Sequence, residues 1–211
     1  MELLLNIMRI ETIKITKAYN GRVLFDKLSY NFEEGSVTEL IGKNGSGKTT
    51  LLKIIAGIRK QDQGQVKYIK NNSELSYDKA KAQIIYTGNG EYLIPEFSIV
   101  EYFEFLRYAY KKDKLLFERL YVSLFSEFGI DIKESGKKIK DLSKGYQNLM
   151  EIIGGILVNP DVFILDEPFS NLDPFFVSIV KNKFVELKKQ NKTIILSAHE
   201  ELYLNSDQIY L

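Results

Sequence analysis

Cysteine is absent from this 211-residue sequence, and histidine occurs once. Without thiols there is no disulfide framework and no thiolate-bound metal, a composition compatible with a reducing cytosol. Long apolar runs are missing as well: none approaches the roughly 20 residues that would carry a helix across a bilayer. The opening "MELLLNIM" holds only a short apolar run with no basic residue before it, which argues against a secretory signal. A cleaner strand pattern begins at Met8, so residues 1–7 read as an appended segment. Nor is there an excess of one charge. Lysine and arginine total 29 against 28 aspartates and glutamates, so nothing suggests a surface that tracks nucleic-acid phosphates. What is present is 45% hydrophobic content, enough for a sizeable core in one large domain or in one domain with an inserted lobe.

Periodicity supplies the organisation. "RIETIKITKAY" (Arg9–Tyr19) alternates isoleucines with polar residues, and "RVLFDKLSYNF" (Arg22–Phe32) follows an Asn20-Gly21 turn; both predict strands. Further strands are expected at Ser36–Gly42, Gly64–Lys70, Lys81–Gly88, Asp161–Pro168 and Lys192–His199. Helical spacing marks Lys48–Ile58, two long runs between Ser98 and Gly129, Asn148–Val158, and the stretch that starts at Asp173. The many Phe and Tyr residues of the Ser98–Gly129 region are most simply core contacts between helices. Strands alternating with helices around one helix-rich insertion imply an α/β fold with a mostly parallel core sheet and an α-helical lobe, approximately residues 96–158.

The stretch "GKNGSGKTT" (Gly42–Thr50) is the first with a chemical reading. Glycine loses more freedom on folding than any other residue, so Gly42, Gly45 and Gly47 within six positions carry a backbone cost that packing alone would not justify. Gly42-x-x-x-x-Gly47-Lys48-Thr49 is the phosphate-binding loop: backbone N–H groups turn inward, Lys48 reaches the terminal phosphates, and the Thr49 hydroxyl ligates Mg²⁺. A strand before it and a helix after it are the required order. The candidate nucleotide-binding residues here are Gly42, Asn44, Gly45, Ser46, Gly47, Lys48, Thr49 and Thr50.

A second candidate lies where the apolar residues Val162–Leu165 run into Asp166-Glu167. Carboxylates at the C-terminal edge of a parallel sheet stand where such sheets bind ligands. Asp166 is placed to hold Mg²⁺ through its waters, and Glu167 to orient and partly deprotonate a water in line with the γ-phosphate. His199, at the end of another strand, would come to the same edge and hydrogen-bond to the γ-phosphate or the attacking water.

Taken in order, "GKNGSGKT", "LSKGYQ", "ILDEPFSNLDP" and "ILSAH" resemble the ATPase subunit of ABC transporters over nearly the whole chain, from Arg9 to Leu211. The resemblance implies a P-loop NTPase of the ABC ATPase type: a mostly parallel core sheet, an antiparallel β subdomain and an inserted helical lobe within a single domain, residues 1–211. It implies ATP and Mg²⁺ as cofactors and Tyr19 as the aromatic on which adenine stacks. In "LSKGY", Ser143 and Gly145 would bind the γ-phosphate held by an opposite subunit, and Asn171-Leu172-Asp173 would cross between the two sites. Partners would be a second ATPase subunit, as a homodimer formed with ATP, and separate transmembrane subunits; no nucleic acid is expected. The chain would then lie at the cytoplasmic face of the membrane, and its short form with "SKG" is similar to subunits of bacterial exporters. It departs from the family at Asn89, where a glutamine usually senses Mg²⁺, and at Lys144 and Tyr146 of the signature, where glycine and glutamine are usual. Asn89 stays a candidate for nucleotide and metal. Two other readings stand beside the transporter subunit: a soluble ABC ATPase that acts on ribosomes or DNA, and a binding-only subunit with a different catalytic partner.

Overall fold

A computed structural model of the chain describes residues 8–19, 21–88, 90–202, 204 and 206–211. The proposed appended segment 1–7, the turn residue Asn20 and the candidate Asn89 therefore lie outside the described residues.

The chain forms two compact units. The first comprises residues 1–86, 160–166 and 183–211. Its antiparallel sheet has the order β2-β1-β4-β5, from β1 (Met8–Tyr19), β2 (Arg22–Phe32), β4 (Gln63–Lys70) and β5 (Ser73–Leu75). A second sheet runs β6-β7-β8-β3-β9, from β3 (Val37–Ile41), β6 (Ile84–Gly88), β7 (Val162–Asp166), β8 (Thr193–Ala198) and β9 (Asp207–Tyr210). β7 pairs in parallel with β8, β8 with β3, and β3 with β9. Every residue of β3, β7 and β8 is buried, as expected of parallel strands covered on both faces, and this explains their near-continuous apolar runs.

Helix α1 (Lys48–Ile55) has only eight residues, too few to be stable alone in water. It buries Leu51, Leu52, Ile54 and Ile55 in a core shared with Met8, Ile10, Phe32, Val162, Ile164 and Ile195. At about 1.5–3 kcal/mol for each aliphatic side chain removed from water, this packing holds the helix. It ends three residues before the expected Ile58, where Gly57 turns left-handed and donates to Ile54 O at 3.0 Å. The four-residue α2 (Tyr77–Ala80), β5 and β9 carried no signal strong enough to be read from the sequence.

The second unit comprises residues 87–159 and 167–182. It holds α3 (Ile99–Ala109), α4 (Lys114–Glu127), α5 (Lys144–Val158) and the first part of α6 (Pro174–Lys189). Ser98 starts α3 with a capping box: its hydroxyl accepts from Glu101 N–H, and the Glu101 carboxylate accepts from Ser98 N–H at 2.6 Å. Asp113 caps α4 by accepting from Leu116 N–H at 2.9 Å. Phe103, Tyr121 and Phe125 meet edge to face with ring centroids 4.7–6.1 Å apart, so these aromatics are core contacts. α5 starts four residues before the expected Asn148, which makes "LSKGY" the mouth of a helix.

Candidate functional site

β3 leads directly into the glycine loop, and the loop into α1. Gly47 sits at the helix entry with φ +110°, a conformation that L side chains rarely adopt, and a Cβ there would stand 2.8 Å from the Phe25 ring. No side chain caps α1, and no acidic residue lies in its first turn. Its first-turn N–H groups and positive dipole end are therefore left for an anion. Ser46 Oγ is buried with no partner, an orphaned hydroxyl inside the loop. Lys48 is 5% exposed, and its ammonium donates to Gly42 O at 2.6 Å and Lys43 O at 3.3 Å. It thus folds over the loop with one of its three N–H donors to spare. Asn44, Gly45 and Thr49 are exposed, whereas Thr50 in the first turn of α1 is buried.

Asp166 ends β7 and is 8% exposed. One carboxylate oxygen accepts from Ser197 Oγ at 2.6 Å, and the other from Tyr86 OH at 3.3 Å. Both donors come from the flanking strands, so the sheet itself fixes the carboxylate, while each oxygen keeps a further lone pair. A single oriented carboxylate together with an exposed Thr49 hydroxyl fits Mg²⁺, which takes few protein ligands and retains waters. Among the described residues no group of three His, Cys, Asp or Glu gathers as a denser metal site.

His199 lies one residue beyond β8 and is exposed. In the strand register Ile41 pairs with Ala198, and Gly42 N–H donates to Ala198 O at 3.4 Å. The histidine therefore starts level with the first glycine of the loop. Tyr19 ends β1, with Lys17 and Arg59 over its ring at 5.2 and 5.6 Å and Arg59 donating to its hydroxyl at 2.7 Å.

In the second unit, Glu167 follows Asp166 with φ +48°. A left-handed glutamate costs about 1–2 kcal/mol, strain of the kind that collects at functional sites. Ser143 is the N-cap of α5, and its hydroxyl accepts from Tyr146 N–H at 3.2 Å. A Cβ on Gly145 would come within 1.9 Å of Asn171 O, so the glycine admits the 171–173 segment of its own chain. Lys144 Nζ donates to Gln147 Oε1 at 3.1 Å, and the Tyr146 ring meets Phe176 edge to face at 6.1 Å. Glu151 of α5 is a buried loop anchor that sequence reading missed. It is 2% exposed and accepts from Gly90 N–H at 2.8 Å. Burial pushes its carboxyl above the usual range, against the pull of backbone N–H groups of Gly90, Tyr92 and Gly88. A charged residue at a buried helical position was the available signal.

A glycine cradle on an uncapped helix, with a buried carboxylate two strands away on the same sheet, defines a P-loop nucleoside triphosphatase. The family model for ABC transporters matches residues 25–170. An uncharacterized ABC transporter ATP-binding protein of Methanocaldococcus jannaschii is 32% identical over 91% of this chain and 68% of its own length. The tungstate uptake system ATP-binding protein TupC of Peptoclostridium acidaminophilum is 31% identical, over 90% and 86%. The cytochrome c biogenesis ATP-binding export protein CcmA of Reclinomonas americana is 29% identical, over 96% and 91%. Among solved structures, the ATP-binding subunit of an ABC transporter superposes with TM-score 0.80 at 26% identity, over 90% of this chain and 79% of that one. A dimeric bacterial ABC transporter cassette, 24% identical over 96% and 94%, shares the fold with TM-score 0.81. The chain belongs to the ABC transporter family, as an ATP-binding and ATP-hydrolysing subunit.

Proposed function

We propose that this ATPase drives an exporter, two copies closing on two ATP molecules beneath separate membrane subunits at the cytoplasmic face of the membrane. The observation that carries the nucleotide step is the uncapped start of α1, with Ser46 Oγ orphaned beside it. In this reading the loop N–H groups and Lys48 receive the β- and γ-phosphates, and adenine stacks on Tyr19. Thr49 and Asp166 would hold Mg²⁺, which would supply positive charge to offset that of the phosphates. Glu167 takes a proton from the attacking water, and His199 hydrogen-bonds to the γ-phosphate. Ser143 and Gly145 of each copy close over the ATP of the other. A hydroxyl that already caps a helix by accepting still has its own proton to donate, so Ser143 can do both.

No helix among the described residues is long and apolar enough to cross a membrane, so the reading assigns the pore to other polypeptides. α3 and α4 leave Phe105, Tyr108, Leu115, Leu116 and Leu120 exposed, which supports a protein-docking role for the second unit. Export rests on the likeness of the compact form, with "SKG" in its signature, to exporter subunits; the relatives named above include both an uptake and an export system. Affinity purification from membranes tests the reading. Recovery of a membrane-spanning partner supports it, whereas recovery of ribosomes or DNA favours the soluble alternative. Inverted vesicles bearing the recovered complex then decide direction: ATP-driven accumulation inside means export.

A further inference from the structure

The link from β8 to β9 is unusually bare. β8 ends at Ala198 and β9 starts at Asp207 on the far side of β3, leaving the eight residues 199–206. Parallel strands are ordinarily joined by about a dozen residues or more, usually through an α-helix that satisfies its own backbone. Among the described residues of this link none is helical. Its backbone groups must therefore find partners elsewhere.

β3 supplies them. Glu39, its middle residue, is 0% exposed, and its carboxylate accepts from Leu202 N–H at 2.9 Å and from Ser206 Oγ at 2.6 Å. Both donors are neutral. A polar group placed inside a fully buried strand is costly unless hydrogen-bonded, so the Glu39 side chain and the link depend on each other. At the other end of the link, Gly42 N–H holds Ala198 O. One strand thus grips the link before and after His199, and three residues after Glu39 the same strand opens into the phosphate-binding loop.

We propose that Glu39 is a positioning residue for hydrolysis: by holding the β8–β9 link at Leu202 and Ser206, it fixes where His199 stands beside the phosphate-binding loop. The inference rests on the reading of His199 as the group that meets the γ-phosphate or attacking water.

A double-mutant cycle on the full chain tests it, with kcat, KM and ATP affinity measured for Glu39→Ala, Glu39→Gln, Ser206→Ala, His199→Ala and the combinations with His199→Ala. Misplacing a catalytic group by about 1 Å can cost as much as 10²-fold, so Glu39→Ala should lower kcat by about tenfold and leave ATP affinity within about twofold. Glu39→Gln keeps an acceptor for Leu202 N–H and should restore most of the loss. In the His199→Ala background Glu39→Ala should lower kcat no further, which a general loss of stability would not reproduce. Should Glu39→Ala fail to fold, Ser206→Ala decides: it should lower kcat by a smaller factor that also vanishes without His199. The inference is overturned if the factors multiply in the His199→Ala background, if only ATP affinity changes, or if the variants keep the parent kcat. A His199→Ala protein with parental kcat overturns the histidine reading itself, and this inference with it.

Discussion

α1 and α5 both begin on small residues, and they treat their first turns differently. α3, α4 and α5 are each capped by a side chain, from Ser98, Asp113 and Ser143. α1 has none, and its entry residue is a left-handed glycine. A glycine entry with no capping side chain is less favourable in the free chain, by a few tenths of a kcal/mol relative to Ser, Thr, Asp or Asn. In the proposed reading the difference separates a helix start that receives a ligand from one that does not. The first-turn donors of α1 have no side-chain cap, whereas at α5 the Ser143 hydroxyl accepts from Tyr146 N–H and keeps its own proton to donate. The function proposed above gives the chemistry to the α1 end and to Asp166-Glu167, and closure to the α5 end.

The largest expected effect falls on the chemistry alone. Glu167→Gln keeps size and hydrogen bonding but cannot take a proton, so phosphate release should fall by about 10²-fold or more with ATP affinity near normal. A variant that hydrolyses at the parental rate removes Glu167 as the base. Next comes the anion itself. Lys48→Ala should weaken ATP binding by about 10- to 100-fold in titration calorimetry, the scale of a lost hydrogen bond to a charged group. Unchanged affinity would mean that the α1 end is not where phosphate sits.

Much of the α1 end was legible in the sequence, because phosphate binding is built from local backbone: a strand, three glycines and a helix within one short stretch. Asp166 was legible for the same reason, at the end of an apolar run. The parts that escaped depend on contacts between distant segments. Glu39 reads as one charged letter in "VTELIG", and only the fold brings Leu202 and Ser206 to it. Glu151 likewise acquires its role from a loop some sixty residues earlier, at Gly90. "LSKGY" was legible by resemblance, but its place at the mouth of α5, with Gly145 against the Asn171 carbonyl, follows from packing.

That packing gives a smaller effect, which sharpens the contrast. Gly145→Ala forces a Cβ into Asn171 O and should destabilise the chain by about 1–3 kcal/mol in urea unfolding without any nucleotide. Gly45→Ala meets nothing within 4 Å and should cost only the φ strain at +78°, about 1–2 kcal/mol. Equal stability of Gly145→Ala and the parent would contradict the close approach. The smallest effect concerns a capped helix. Ser98 backbone and hydroxyl groups, with Lys138, hold the Glu101 carboxyl down to about 2. A depressed carboxyl contributes stability above its ordinary value near 4.5, lost as pH falls toward 2. The melting-temperature difference between the parent and Glu101→Gln should therefore shrink from pH 6 to pH 2; a constant difference would mean that the capping charge contributes nothing.

The central claim is that the open α1 end of one copy is completed by the capped α5 end of another. Sedimentation velocity of the Glu167→Gln protein tests it most directly, because bound ATP then persists and ligand in the interface draws the subunits together by mass action. The account predicts a monomer without nucleotide and a dimer with Mg-ATP, abolished by adding Ser143→Arg while ATP binding to the monomer is retained. A Glu167→Gln protein that stays monomeric at saturating Mg-ATP, beside a parent that hydrolyses ATP at a rate independent of its own concentration, would contradict it.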